Sequence, residues 1–241
     1  MYNRLNTNQI LQGRSCPSHW LARETSPNGG FRFYLLITSL LIIFSQFSSA
    51  QFWEHTYGGT RGFNILETYD KGFAILGTTG PLTNERIFLL KNDINGNILW
   101  TKTIGNGNYL NIATGMDKTN DAGLILCGIT SQYDSVGGAF VLKLNECGDK
   151  QWCKIYGTIN DYGWAQDIFQ LSDSSYVVLA YGLGPSTPYT NTIRLMKLDA
   201  DGNVLWLNDY SHFYASAPWS LSLTNDNGFM INGYCWIPNS R

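Results

Sequence analysis

The stretch "DADGNVLW" at 199–206 combines a tight turn with a strand that carries an indole. Asp, Asn and Gly favour a reverse turn because they tolerate positive φ, and the apolar residues that follow favour a strand. Two related strings, "NDINGNILW" and "LNECGDKQW", occur earlier in the chain. Their glycines lie 52 and 54 residues apart, and each is followed four residues later by a tryptophan; the pairs are Gly96 and Trp100, Gly148 and Trp152, and Gly202 and Trp206.

A second marker repeats independently of the first. It appears as "YDKGFAILG", "NDAGLILCG", "SDSSYVVLA" and "NDNGFMING", and its aspartates follow one another at intervals of 51, 52 and 53 residues: Asp70, Asp121, Asp173 and Asp226. Two markers that keep the same period indicate an internal repeat of about 50 residues.

Each repeat contains four short apolar runs separated by turn residues. In the first repeat "NILET" and "FAILGTT" flank one turn, and "RIFLLKN" and "ILWTKT" flank another. Apolar runs bounded by Asp, Asn and Gly are typical of β-hairpins. Four antiparallel strands in about 50 residues form the blade of a β-propeller, and blades must stack because one blade cannot bury both of its faces.

The predicted fold class is therefore all-β, an incomplete β-propeller of four-stranded antiparallel blades. Three full blades and a partial fourth are expected at about 63–104, 112–155, 165–209 and 217–241. The repeated tryptophans and glycines then have a structural role, with each indole wedged against the neighbouring blade.

Composition agrees with this fold and excludes several function classes. Charged residues make up 14% of the chain and aromatic residues 14%, with 25 glycines; an average soluble protein has ~25% charged residues. Coiled coils and disordered chains need more charge. After residue 50 there are 12 Lys and Arg against 17 Asp and Glu, with no basic cluster, so a nucleic-acid binder is excluded.

The first fifty residues are interpreted as a leader. The segment 1–30 is polar and predicted to be unstructured, and 31–50, "FRFYLLITSLLIIFSQFSSA", has the apolar run and terminal small residues of a signal peptide. Cleavage near Ala50 leaves 51–241 as the exported partial propeller, secreted or at the cell surface. A retained signal anchor is the alternative, and membrane contact is expected only through that uncleaved segment.

The motifs "WEHTYGG" at 53–59, "DKGFAILGTTG" at 70–80 and "LLKNDINGNILW" at 89–100 resemble a family of secreted bacterial β-propeller repeat proteins. Members of this family often carry a C-terminal cell-surface sorting domain. The "LDADGNVLW" turn is also similar to the tryptophan-docking repeat of quinoprotein-type propellers. The resemblance covers 51–241 and implies the fold rather than an activity.

No catalytic residue, cofactor or metal site is predicted. The catalytic motif of quinoprotein dehydrogenases is not visible, and "SDSSYVV" departs from the repeat by lacking the turn glycine. "DADGN" at 199–203 is interpreted as a plain turn, because a calcium loop needs a distal Glu. The two histidines after residue 50, His55 and His212, do not combine with a nucleophile and a base.

The two ends of 51–241 contain parts of blades. "QFWEHTY" at 51–57 aligns with an outer strand, and 217–241 supplies only the first hairpin of a fourth blade. Natural propellers have ~4 to 8 blades, so we expect a piece of a longer protein in which the first strand completes the last blade as a clasp.

Four cysteines follow the leader: Cys127, Cys147, Cys153 and Cys235. In "CGDKQWC" the nearest pair, Cys147 and Cys153, leaves two alternatives open. A disulfide requires the chain to fold back to a Cα separation below ~7 Å, whereas a straight strand keeps both thiols free.

Three aromatic residues near the starts of first strands are candidate ligand-binding groups: Phe63, Trp164 and Trp219. Near the central channel they would stack a sugar or a peptide side chain, whereas packing between blades is the favoured alternative. The predicted function is an exported non-catalytic propeller that binds or displays a glycan or protein at the cell surface. The alternative is the propeller portion of a secreted polysaccharide-active or quinone-linked enzyme whose catalytic residues lie outside this sequence.

Overall fold

The computed structural model describes residues 54–59, 61–131, 137–156, 163–183, 191–210 and 216–235. The chain divides into two units, Met1–Gln51 and Phe52–Arg241, and all described residues belong to the second. The predicted leader and signal peptide, 1–30 and 31–50, lie outside the described residues. Among the described residues, no helix has the length and apolar character needed to span a bilayer.

Fourteen strands account for the regular structure of the described residues. They are β1 (Arg61–Glu67), β2 (Phe73–Thr79), β3 (Arg86–Asn92), β4 (Ile98–Ile104), β5 (Asn111–Lys118), β6 (Leu124–Thr130), β7 (Gly138–Leu144), β8 (Lys150–Tyr156), β9 (Gly163–Gln170), β10 (Tyr176–Leu183), β11 (Asn191–Leu198), β12 (Val204–Tyr210), β13 (Ser216–Leu223) and β14 (Phe229–Cys235).

The strands form three four-stranded sheets and one two-stranded sheet, each with its strands in chain order and antiparallel. We name the sheets blade 1 (β1–β4), blade 2 (β5–β8), blade 3 (β9–β12) and blade 4 (β13–β14). The fold prediction is confirmed: the described chain is an all-β propeller arrangement of three full blades and a partial fourth.

The second sequence marker forms the turn between the first two strands of each blade. In blade 1 the Thr68 amide donates to the Gly72 carbonyl at 2.8 Å, and the Thr68 hydroxyl donates to the Asp70 carboxylate at 2.5 Å. The residue after each marker aspartate adopts positive φ of 62 to 68°, a left-handed conformation at Lys71, Ala122, Ser174 and Asn227. The aspartate thus closes a turn that the backbone alone would hold less firmly.

The same aspartates also bind a lysine on the third strand of their own blade. The Nζ to carboxylate distances are 2.7, 2.8 and 3.0 Å for the pairs Lys91–Asp70, Lys143–Asp121 and Lys197–Asp173. Asp226 of blade 4 has no such lysine among the described residues. Each ion pair therefore ties the first turn of a complete blade to its third strand.

The first sequence marker forms the turn between the third and fourth strands, and it receives the tryptophan of the preceding blade. Gly148 and Gly202 have φ of 75° and 76°. A Cβ at Gly148 would lie 3.0 Å from Cη2 of Trp100, and one at Gly202 would lie 2.9 Å from Cη2 of Trp152. Each indole therefore packs directly against the glycine turn of the next blade, where a side chain would collide with it.

Three apolar clusters fill the spaces between successive blades. The first joins blades 1 and 2 through residues such as Leu89 and Leu126, and the second joins blades 2 and 3 through residues such as Val141 and Val178. The third joins blades 3 and 4, where Trp206 packs against the cluster that contains Leu221. Burial of residues on both faces explains why the blades stack rather than lie apart.

The segment 54–59 contacts blade 1. Its contact is the same as the one that the last residue of an outer strand makes with the next blade. The Tyr57 hydroxyl donates to the Gly96 carbonyl at 2.9 Å. The Tyr156 hydroxyl at the end of β8 donates to the Gly202 carbonyl at 2.8 Å, which is the corresponding turn of blade 3. Residues 54–59 thus lie where the outer strand of a preceding blade would end.

The Cys147–Cys153 disulfide, one of the two alternatives considered, is not formed. Both cysteines are free, as is buried Cys127. The Cys147 amide donates to the Asn145 side chain within the turn, while Cys153 pairs with Leu142 in the regular ladder of β8. A continuous ladder keeps the strand extended, so the chain does not fold back far enough for a disulfide.

Candidate functional site

A β-bulge occurs at one position in the first strand of every blade. The ladder between the first and second strands skips one residue in each case, at intervals of 51, 52 and 53 residues: Phe63, Thr114, Gln166 and Trp219. A bulge bends its strand and redirects the extra side chain. We call these four residues the rim.

The rim lies at one end of the propeller and along its inner edge. The first strand is an edge strand of each sheet, and in a propeller the first strands surround the central channel. The bulges precede the middle of these strands, so the rim is nearer the end that carries the connections between blades. The marker turns lie at the opposite end because successive strands are antiparallel.

The two aromatic members of the rim are accessible. Phe63 is 38% exposed and Trp219 is 65% exposed. The Arg61 guanidinium lies over the Phe63 ring, 5.5 Å from its centroid, and forms an ion pair with the buried carboxylate of Glu85. The Trp219 ring lies 6.4 Å from the ring of Tyr234. Both rings therefore offer surface for stacking.

The two polar members of the rim occupy the central blades. The Thr114 hydroxyl donates to the Ala165 carbonyl of blade 3 at 2.8 Å. Thr114 and Gln166 are only partly exposed. Neither residue was predicted from the sequence, although both lie seven positions before a marker aspartate, as Phe63 and Trp219 do. Counting back from those aspartates would have identified the complete set.

Trp164, the third predicted ligand-binding aromatic, does not belong to the rim. It lies two residues before the bulge of β9 and pairs with Tyr181 of β10, with the two rings stacked at 6.1 Å. Its buried Nε1 has no hydrogen-bond partner within the described part of the chain. The structure thus groups Phe63 with Trp219 and separates Trp164, because backbone register rather than residue type sets the position.

Two carboxylates on first strands link neighbouring blades. Asp117 accepts the backbone N–H of Gln170 in blade 3 at 2.9 Å, and Asp167 accepts that of Leu221 in blade 4 at 2.8 Å. Burial raises the pKa of both carboxyl groups, although these hydrogen bonds oppose the rise, and the charge of Asp117 adds to the increase at Asp167. Each carboxylate fixes the first strand of the following blade.

The described residues contain no group of three or more His, Cys, Asp or Glu side chains arranged to hold a metal ion. Burial raises the pKa of the Cys127 thiol well above its usual value, with a further rise from the charge of Asp167. That thiol is therefore protonated at neutral pH and packs as a small apolar group.

Comparison with known proteins supports the architecture. No family model matches the sequence, and no curated protein matches it. Among solved structures the chain is similar to the endo-arabinase from Bacteroides thetaiotaomicron VPI-5482, with a TM-score of 0.50 and 11% sequence identity over 78% of this chain and 75% of that chain. Similarity at this identity establishes a shared propeller-type fold and nothing finer.

Proposed function

We propose that this chain is an exported, non-catalytic β-propeller that binds carbohydrate at the cell surface through the rim. The observation that carries the proposal is the repeated bulge, which presents one side chain per blade at the same height and leaves both aromatic members exposed. Repetition at the inner edge provides several contacts to one extended ligand, which suits a polymer of repeating units.

The chemistry of the rim favours a sugar chain over a protein segment. Exposed aromatic faces stack on the apolar faces of pyranose rings. The polar side chains Thr114 and Gln166, placed between Phe63 and Trp219 in blade order, supply groups for hydrogen bonding to hydroxyls. Arg61 beside Phe63 adds further donors.

Export and surface location are part of the same proposal. They are supported by the signal-like segment 31–50 and by the resemblance of 51–241 to secreted bacterial propeller repeat proteins. A mass spectrum of the protein recovered from the secreting cell would locate the mature N-terminus. Cleavage near Ala50 is expected, and recovery of intact 1–50 would contradict it.

Glycan-array binding tests the rim. We expect Trp219→Ala and Phe63→Ala each to weaken binding of the full chain at least tenfold, which corresponds to a loss of about 1.4 kcal/mol. The matched control is Met230→Ala, because Met230 is also 65% exposed in blade 4 but lies outside the bulge. Equal losses in all three variants, or no glycan bound by the wild-type chain, would contradict rim binding.

The alternative function is polysaccharide hydrolysis. It is favoured by the raised pKa values of Asp117 and Asp167 on adjacent first strands and by the endo-arabinase that shares the fold. Glycoside hydrolases use paired carboxyl groups in which one pKa is raised. Against it, both carboxylates already accept backbone hydrogen bonds that hold blades together.

Release of reducing sugar from arabinan separates the two functions. Binding without release supports the proposed function. Release by the wild-type chain that is lost in both Asp117→Asn and Asp167→Asn, with the fold intact by circular dichroism, would support hydrolysis instead.

A further inference from the structure

A cavity lined by both polar and aromatic side chains lies between blades 2 and 3, at the end of the propeller opposite the rim. Its volume is about 510 Å³, within the ~300 to 1,000 Å³ range of small-molecule sites. It is bounded by the marker turns of both blades and by the start of β8. The polar residues of its lining include Asn120, Asp121, Lys143, Gln151, Gln170 and Asp201.

Comparison with the junction of blades 1 and 2 explains why this space is open. There Lys118 reaches across the junction, donates to the Glu67 carbonyl at 3.2 Å and lies 5.0 Å from the centroid of the Tyr69 ring. The repeat places Gln170 and Asn120 at the positions of Lys118 and Tyr69. Gln170 also reaches across its junction and accepts the Asn120 backbone N–H at 2.7 Å, but the two side chains together are smaller than Lys118 and Tyr69.

The inner wall of the cavity is fixed by a saturated lysine. The Lys143 ammonium is buried and donates to both Asp121 oxygens, to the Leu144 carbonyl and to Oε1 of Gln151, at 2.8 to 3.0 Å. Its three protons are fully used. Lys143 therefore orients Asp121 and Gln151 but has no proton left for an added anion.

Three other polar groups of the lining are available to a ligand. Within the described residues, the Asn120 side-chain amide, Nε2 of Gln151 and the Asp201 carboxylate make no hydrogen bond to protein. Gln151 replaces the leucines found at the same outer-strand position in the other blades, Leu99 and Leu205. The two aromatic residues of the lining are Trp152 and Tyr176, whose rings meet edge to face at 5.9 Å.

We propose that this cavity binds a neutral saccharide unit, separately from the rim. Free amide and carboxylate groups beside the partly exposed Trp152 ring suit a polyhydroxylated molecule, which needs both hydrogen-bond partners and an apolar face. An anion would be repelled by Asp121 and Asp201, and the described lining residues contain no cation that is free to bind it. A purely apolar ligand would leave the free polar groups without hydrogen-bond partners.

Saturation-transfer NMR on the full chain tests the proposal with D-glucose, D-galactose, D-mannose, L-arabinose and D-xylose, and with D-galacturonate as the anionic counterpart of galactose. We expect at least one neutral sugar to bind, and galacturonate to bind more weakly than galactose. No binding by any neutral sugar, or tighter binding of galacturonate, overturns the proposal.

A variant that copies the neighbouring junction locates the binding. Asn120→Tyr combined with Gln170→Lys should fill the cavity and raise the dissociation constant at least tenfold, while a lysine at 170 can still reach a carbonyl as Lys118 does. Gln151→Leu, which restores the residue of the other blades, should also weaken binding. Unchanged binding in the double variant places the sugar elsewhere and overturns the proposal.

Two controls separate this site from the rim and from general damage. Lys118→Gln alters the equivalent position at the other junction and should leave monosaccharide binding unchanged. Trp219→Ala should weaken glycan binding at the rim at least tenfold while the monosaccharide still binds. Loss of monosaccharide binding in Trp219→Ala would overturn the assignment of a separate site.

Discussion

Blades 2 and 4 have the same repeat but very different burial. In blade 2 every residue of β6 and β7 is buried. In blade 4 the hairpin of β13 and β14 has large exposed side chains, with Trp219 and Met230 each 65% exposed. Blade 2 contacts a neighbour on each face, whereas within the described chain blade 4 contacts one neighbour, blade 3.

The difference shows that a blade obtains its stability mainly from its neighbours. Side chains from both faces of blade 2 enter two of the interblade clusters, through Leu126 on one face and Cys127 on the other. Alternate residues of one strand therefore serve different interfaces. Blade 4 shows what the same strand pattern achieves with one interface.

The largest expected effect is the truncation of a leucine that lies between two blades. Leu126→Ala should lower the free energy of unfolding by about 3 kcal/mol, because Leu126 is fully buried and a cavity would remain. The matched change in blade 4, Leu223→Ala, removes a side chain that is 50% exposed and should cost about 1 kcal/mol or less.

Urea unfolding of both leucine variants measures the two values. Equal losses of free energy of unfolding would show that one neighbour, blade 3, stabilises blade 4 to the same extent as two neighbours stabilise blade 2. Such a result would contradict the stated origin of blade stability.

The second expected effect concerns the contact between an indole and the next turn. Gly202→Ala should cost about 2 kcal/mol, because it adds left-handed strain and places a Cβ 2.9 Å from the Trp152 ring. Gly107→Ala is the control, because Gly107 has the same φ of +76° but the nearest atom to its Cβ would be 3.9 Å away.

Thermal unfolding of these two glycine variants separates strain from collision. The control should lose about 1 kcal/mol from strain alone. If both variants lose the same free energy of unfolding, the Trp152 ring moves aside at no cost and its contact does not stabilise the turn.

The third expected effect is the pH dependence of the ion pair in blade 2. Burial alone would raise the pKa of the Asp121 carboxyl, but hydrogen bonds from Lys143 and Thr119 outweigh burial and lower the pKa to about 2. Because the pKa is lower in the folded state than the ~3.9 of an unfolded aspartate, Asp121 stabilises the fold above pH ~4. This contribution disappears as the pH falls to about 2.

Asp121→Asn should therefore lower stability by about 1 kcal/mol at pH 7, after allowance for solvent screening of a half-exposed carboxylate, and change it little near pH 2. Asp226→Asn in blade 4 should have a smaller effect, since Asp226 lacks the lysine partner within the described residues. Urea unfolding of each variant at pH 7 and near pH 2 measures the change in the free energy of unfolding. A loss for Asp121→Asn that is independent of pH would show that turn geometry, not charge, is responsible.

The fold could be predicted because its signals are local. Glycines such as Gly202 appear where the turn requires positive φ, and Asp121 appears where a side chain must close a turn. The aspartate turn recurs in all four blades and the glycine turn in the three complete blades, so both give the sequence a regular period. Counting that period was sufficient for the strand number and order.

The rim was predicted only in part. The prediction relied on residue type, whereas the register between the first two strands decides which residues lie in the bulges. Phe63 and Trp219 were identified as aromatic residues, whereas Thr114 and Gln166 were not identified. Trp164 lies outside the bulge set, and its predicted role in ligand binding stays a prediction. A bulge is a property of the pairing between two strands, so the sequence of either strand alone does not indicate it.

The sequence by itself determined the repeat, the four-stranded blade and the role of its turns, since each depends on a few neighbouring residues and their allowed φ and ψ. Only the tertiary structure decided which side chains share the rim and where a cavity opens between blades. Those outcomes depend on how Lys118 or Gln170 meets a turn about 50 residues away, and such complementarity between blades leaves no local pattern.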